Sequence, residues 1–300
     1  MRAVRFHQYG DPQVLALEDA PEPHAGPGQV RIAVRAASVN PIDWKIRAGY
    51  LAEMMPTTFP ATPGSDAAGV VDEVGEGASG VEVGDVVFGL AVSGSASELA
   101  VLGAWAPVPA PWSLEQAAAA GLVSATAIAA LDALGDLAGR TVLLEGAAGG
   151  VGSAAVEVAI ARGATVIGTA SETHHEFLRS LGATPVTYGE GLAARVAAAA
   201  PDGVDAALDL AGSGSLADLV AIVGDPAKVA TIADFSASAL GVTVVQGDAN
   251  ASANLALAAE LGAAGAYTPR VDATYPVEQA AEAHARVQAG HSQGKVVLTL

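Results

Sequence analysis

The residues with the clearest chemistry in this chain are small ones. Thr141-Val142-Leu143-Leu144 runs into Glu145-Gly146-Ala147-Ala148-Gly149-Gly150-Val151-Gly152 and then into a helical stretch from Ser153 to Arg162. A β-like run, a glycine turn and a helix start, in that order, form the setting in which a backbone closes on a pyrophosphate. The register Ala147-x-Gly149-x-x-Gly152 has the dinucleotide spacing, with alanine where the first glycine usually stands. Ala148, Gly149, Gly150, Val151 and Gly152 are therefore the expected phosphate cradle. The glycines put no side chain in the way, and N–H groups at a helix start have no intrahelical acceptor and attract negative charge. The alternative, a tight turn in a ligand-free domain, leaves this glycine density unused.

The next apolar run ends at Gly168-Thr169-Ala170-Ser171. An acid at its end would bond a ribose 2′-hydroxyl and repel a 2′-phosphate. Ala170 occupies that place, and Ser171, His174, His175 and Arg179 lie close by as donors, so NADPH is the expected cofactor; Glu172 is the one neighbour that opposes it. Other constellations fail on context. Gly290-His291-Ser292-Gln293-Gly294 has nucleophile-elbow spacing, but a helical stretch precedes it, a strand follows, and no Asp, Glu or His remains downstream. No lysine stands four residues after any of the tyrosines, which excludes a Tyr-x-x-x-Lys pair. Zero cysteines and six histidines without metal spacing lead to the expectation that there is no metal site.

These residues need elements to hold them, and the composition supplies a large core. Three hundred residues with 51% hydrophobic and 15% charged content indicate a folded chain of two domains. A formal charge of −18 repels nucleic acid and anionic membranes, so neither is an expected partner. Met1 to Phe6 lacks a signal-peptide core, and the apolar run Ala117 to Leu131 is short and rich in Ala, Gly, Ser and Thr, which reads as a buried helix. A cytoplasmic protein is expected.

From Met1 to about Pro111 the chain shows short β-like runs broken by Gly and Pro, at Gln29–Ala36, Gly69–Val74, Asp85–Phe88 and Ser97–Val101. Beyond Pro107-Val108-Pro109-Ala110-Pro111, Ala-rich helical stretches alternate with the runs Thr141–Leu144, Thr165–Gly168, Ala206–Leu210, Lys228–Ile232 and Val242–Val245. That alternation indicates βαβ units on a parallel sheet. From about Gly265 short elements return, with a helix over Pro276–Ala289 and a terminal strand over Lys295–Leu300.

The sequence resembles the zinc-free quinone oxidoreductase branch, the zeta-crystallin-like reductases, of the medium-chain dehydrogenase/reductase superfamily. The likeness spans the chain and is carried by Ser38-Val39-Asn40-Pro41-Ile42-Asp43-Trp44-Lys45-Ile46-Arg47-Ala48-Gly49, Pro63-Gly64-Ser65-Asp66-Ala67-Ala68-Gly69-Val70-Val71, Val83-Gly84-Asp85-Val86-Val87-Phe88-Gly89, the turn at 146–152 and Gly294-Lys295-Val296-Val297-Leu298. Zinc-bearing members carry a Cys near position 40 and a His-Glu pair where Ser65-Asp66 stand; Asn40 and Ser65 lack that ligand chemistry. The resemblance implies an α/β chain with a GroES-like β domain (1–112, completed by 265–300) and a Rossmann domain with a doubly wound parallel sheet (113–264), the site lying in the cleft between them at the strands' carboxyl ends. It implies that Asn40, Thr126 and Ile232-Ala233-Asp234-Phe235 border the nicotinamide, that Asp209-Leu210-Ala211-Gly212 lie near the nucleotide, and that Lys295 reaches it from the last strand.

The implied activity is NADPH-dependent hydride transfer to a quinone or an α,β-unsaturated carbonyl, with the Asn40 amide and the Tyr50 hydroxyl as candidate donors to the carbonyl oxygen. An NADPH-binding sensor or structural protein with little turnover is the alternative, since binding and catalysis would use the same residues. Val242-Thr243-Val244-Val245 reads as a late strand of the parallel sheet; the resemblance implies that it lies at the edge, where an apolar strand predicts a homodimer through that sheet, the alternative being a covered or buried strand in a monomer.

Overall fold

The computed structural model describes every residue except 235, 236, 247–249 and 291. Among the described residues the chain runs β1 (Arg2–Arg5), β2 (Ala16–Asp19), β3 (Val30–Val39), α1 (Pro41–Arg47), β4 (Asp66–Val74), β5 (Val86–Ala91), β6 (Leu99–Pro107) and α2 (Leu114–Asp132). There follow β7 (Thr141–Glu145), α3 (Gly150–Ala161), β8 (Thr165–Thr169), α4 (His175–Ser180), β9 (Thr184–Val186), α5 (Leu192–Ala199), β10 (Ala206–Asp209) and α6 (Leu216–Val223). The last elements are β11 (Val229–Thr231), β12 (Thr243–Val244), α7 (Ala251–Ala263), β13 (Val271–Pro276), α8 (Ala280–Ala289) and β14 (Lys295–Thr299). Two compact units result, Met1–Leu122 with Ala251–Leu300, and Val123–Asn250. The boundaries thus fall inside α2 and before α7, which packs on β6.

In the first unit, β3 alternates buried Val30, Ile32 and Val34 with the more exposed Arg31, Ala33 and Arg35, the period of a strand with one face on a core. Its first half pairs with β6 and its second half with β14, while β4 lies along its other edge. The strands β3, β4, β5 and β6 therefore close on themselves, and β14 and β13 extend the sheet. Val30, Ile32, Val34, Val71, Val87 and Leu102 fill the interior. This β-rich region also contains a helix, α1, which begins at Asn40-Pro41: proline at the first helical position has its φ preset and no N–H to waste.

The second unit is a six-stranded parallel sheet in the order β12-β11-β10-β7-β8-β9. Numbered within the unit this is 6-5-4-1-2-3, the doubly wound order with its reversal between β7 and β10. A parallel sheet is covered on both faces, and Val142, Leu143 and Leu144 are accordingly all buried. Of the run Val242–Val245 only Thr243–Val244 forms a strand, at the sheet's edge, while Val242 is buried in the core. Helix α2 is the one helix among the described residues long and apolar enough to cross a membrane; two-thirds of its apolar window is buried within the protein.

Candidate active site

At the reversal of strand order, the carboxyl ends of β7, β8, β10 and β11 bring most of the expected nucleotide residues to one edge. β7 ends at Glu145, and the chain turns through Gly146 in the left-handed region (φ 75°). The Gly146 N–H donates to Thr169 Oγ1 at 3.1 Å and the Ala147 N–H to the Thr169 carbonyl at 3.1 Å, so the end of β8 anchors the turn. A Cβ on Gly152 would run into the Gly146 carbonyl oxygen and stand 2.7 Å from Ala147 Cα, so only glycine permits this close return of helix to turn. Nothing comparable crowds Gly149, where the nearest heavy atom to an added Cβ would be 3.4 Å away. Helix α3 starts at Gly150, and the N–H groups of Gly150, Val151 and Gly152 have no backbone acceptor among the described residues. The turn thus leaves Gly149 uncrowded and presents N–H groups at a helix start, the kind of donor that attracts an anion.

Beside it, Ala170 is buried at the end of β8, and Ser171 Oγ lies 2.8 Å from Thr173 Oγ1 and 3.2 Å from His174 Nδ1. His175 is half-buried, and Arg179 is exposed and pairs with Glu176 at 3.5 Å. Asp209 is buried at the end of β10; it accepts the N–H groups of Ala211 (3.0 Å) and Gly212 (2.8 Å) on Oδ1 and the Thr231 hydroxyl (2.7 Å) on Oδ2. The Leu210 N–H reaches the Glu145 carbonyl and the Ile232 N–H the Asp209 carbonyl, each at 3.1 Å. Thr231 Oγ1 also accepts from Ala233 and Asp234, which shapes the segment after β11. Phe235 lies outside the described residues, and Thr126 sits half-buried on α2.

The first unit holds a second cluster, around Asn40. Val296 on β14 faces Val39 on β3, and this register sets Lys295 beside the end of β3. The buried Lys295 ammonium donates to Asn40 Oδ1 and, at 3.4 Å, to the Val39 carbonyl. Asn40 Nδ2 donates to Asp66 Oδ1 at 2.7 Å and to Asp43 Oδ2 at 3.2 Å. Asp43 Oδ2 accepts the Asn40 N–H at 2.7 Å, its Oδ1 accepts Ser65 Oγ at 2.6 Å, and Asp66 also accepts the Ser38 hydroxyl. The Leu122 N–H donates to Asp66 Oδ2 at 2.7 Å. Gly121 permits this approach, because a Cβ there would stand 2.7 Å from Asp66 Cβ.

Burial dominates the electrostatics of this cluster. It raises the Asp43 carboxyl to about 6, aided by the Asp66 charge and opposed by the Ser65 hydrogen bond, and it lowers the Lys295 ammonium below the ordinary lysine range against the pull of Asp66 and Asp43. Asn40 is 1% exposed with both ends of its amide engaged. Tyr50 is not among its partners: the ring is 71% exposed and packs edge-on against Trp44, with centroids 5.6 Å apart. Ser38, Asp43, Ser65 and Asp66 received no role from the sequence; the Asn40-x-x-Asp43 spacing, a helix-start pattern, is the local signal that points to one of them.

A closed β domain followed by a doubly wound sheet with a glycine turn is the architecture of the medium-chain dehydrogenases and reductases. Residues 26–111 match the model of the alcohol dehydrogenase GroES-like domain, and residues 181–298 that of the zinc-binding dehydrogenase. Quinone oxidoreductase from Rattus norvegicus is 32% identical over 99% of this chain and 96% of its own length. The structure of the quinone oxidoreductase from Coxiella burnetii superposes with a TM-score of 0.87 at 28% identity, covering 100% of this chain and 99% of that one. A mycobacterial protein solved in complex with NADPH gives 0.86 at 27% identity, with 100% of each chain covered. The chain belongs to the quinone oxidoreductase branch of the medium-chain dehydrogenase/reductase superfamily, and it is an oxidoreductase.

Proposed function

We propose that this protein is an NADPH-dependent reductase of quinones or α,β-unsaturated carbonyls that works without zinc. The observation that carries the reading is the cradle at Gly146–Gly152, with three free N–H groups at the start of α3 and a glycine contact that no other residue fits. When bound, the reduced nicotinamide supplies a hydride. The chain's own residues bind and orient: the α3 start takes the pyrophosphate, and Ser171, His174, His175 and Arg179 take the 2′-phosphate, which no acid at Ala170 repels. NADPH in the complex of the mycobacterial relative supports the same cofactor.

Around the acceptor, the Tyr50 hydroxyl, which has no partner among the described residues, is free to donate to a carbonyl oxygen. Asn40, the other expected donor, is buried with its amide held by Lys295 and Asp66, so its part is to order the wall of the acceptor site, and the direct donor is Tyr50. The exposed Tyr50, Met54 and Met55 suit an apolar acceptor. Among the described residues β12 is the edge of the parallel sheet, and its outward N–H and C=O groups would pair with those of a second copy, giving a homodimer.

Thermal stabilisation by each cofactor, followed by NADPH oxidation across quinones, enones and enals, tests this reading. Larger stabilisation by NADPH than by NADH at equal concentration is expected, with turnover of at least one acceptor class. Equal stabilisation contradicts the preference, and NADPH binding with no turnover on any acceptor class contradicts the reductase.

A further inference from the structure

Glu145 is the one acid in the strand Thr141–Glu145, and β7 is flanked by β8 and β10, which leaves its side chain 2% exposed. A carboxylate so placed needs donors. It finds them in the loop after β10: Oε1 accepts Ser213 Oγ at 2.6 Å, and Oε2 accepts Ser215 Oγ. Its register neighbour on β10, Asp209, is occupied elsewhere, by the N–H groups of Ala211 and Gly212 and the Thr231 hydroxyl.

The loop has freedom to lose. Gly212 (φ 64°) and Gly214 (φ 87°) flank Ser213 in the left-handed region, and residues 211–214 are exposed. The loop also forms a wall of the phosphate turn, since a Cβ on Gly146 would stand 3.0 Å from Ala211 Cβ. We infer that Glu145 is a positioning residue, whose carboxylate holds Ser213 and Ser215 and so fixes loop 211–215 against the glycine turn for dinucleotide binding. This rests on the cofactor reading above. With the Ala211 and Gly212 N–H groups already given to Asp209, the loop contributes shape and hydroxyls, and the phosphate is left to the start of α3.

The test measures NADPH dissociation constants and melting temperatures of the full chain for wild type, Gly152→Val, Glu145→Ala, Glu145→Gln, Ser213→Ala/Ser215→Ala, and the triple variant combining Glu145→Ala with both serine changes. Glu145→Ala is expected to weaken NADPH about tenfold or more. Glu145→Gln retains most of the affinity, because its carbonyl accepts from one hydroxyl and its NH₂ donates to the other. The double serine variant reproduces the Glu145→Ala loss, and the triple variant adds nothing to it, as expected when the groups act as one unit.

Wild-type affinity in folded Glu145→Ala, additive losses in the triple variant, or Glu145→Gln as weak as Glu145→Ala each overturns the inference. If Glu145→Ala does not fold, unchanged affinity in the double serine variant overturns it. Failure of the wild type to bind NADPH or NADH removes the cofactor reading and this inference together. A wild type that binds, with Gly152→Val that does not and Glu145 variants that bind normally, removes this inference alone.

Discussion

The Lys295 ammonium donates to the Asn40 amide oxygen, joining the last strand to the start of α1 across 255 positions of sequence. Val39 and Val296 are register partners, so the main chain sets this contact before any side chain chooses a rotamer. Two buried carboxylates, Asp43 and Asp66, share the Asn40 amide nitrogen on its other side.

Lys295→Met should therefore destabilise the fold by about 1–3 kcal/mol, because the buried Asn40 amide oxygen loses its donor and Asp43 and Asp66 lose the charge that opposes theirs. Urea denaturation at neutral pH checks it. A change below about 1 kcal/mol, the value of an exposed pair, would show that the ammonium does not stabilise the cluster.

Gly152→Val should abolish the close return of α3 onto the turn, since its Cβ meets the Gly146 carbonyl oxygen. NADPH affinity is expected to fall at least about tenfold, or about 1.4 kcal/mol. Isothermal titration reads this directly, and an unchanged dissociation constant would refute the phosphate-cradle assignment.

Two buried groups should pull acid stability in opposite directions. Burial raises Asp43 from 3.8 to about 6, so in that window the folded form holds a proton that the unfolded form has released. Its contribution is full below the lower value and is lost as pH rises through the upper one. His284 is lowered from 6.5 to about 3 by burial and by the Arg47 charge, so its contribution is present above 6.5 and is lost as pH falls. Each slope is at most about 1.4 kcal/mol per pH unit. Relative to wild type, Asp43→Asn should lose stability more steeply from about pH 6 down to about pH 4, and His284→Gln less steeply. Urea midpoints across that range decide it; parallel curves for all three proteins would contradict the assigned burial effects.

How much of this was legible in the sequence depends on distance along the chain. The glycine turn, its flanking strand and helix, and the parallel sheet announce themselves within a few residues, because spacing and apolar runs are local signals. The cluster around Asn40 does not: Asp66, Leu122 and Lys295 reach it only through strand register and a helix approach, which no window of sequence contains. The resemblance supplied Lys295, while the role of its ammonium emerged from the β3–β14 pairing. For Glu145 the local signal is a lone acid closing the apolar run Val142-Leu143-Leu144. The β12 strand is shorter than its apolar run: only Thr243 and Val244 pair with β11, and Val242 packs in the core beside it.

A homodimer through β12 should give twice the 29.5 kDa chain mass in light scattering at micromolar concentration. Val244→Pro, which removes an edge N–H, should return it to the single-chain mass. A wild-type mass near that of one chain, or a dimer that survives Val244→Pro, would contradict this interface.

If this chain directs hydride from NADPH to an electron-poor carbon, isotope transfer reads it most directly. NADPH carrying deuterium at the transferable C4 position is mixed with enzyme and an enone, and the reduced product is examined by mass spectrometry and NMR. One deuterium is expected, carbon-bound at the β-position and insensitive to exchange with solvent. A reduced product with no label would contradict it.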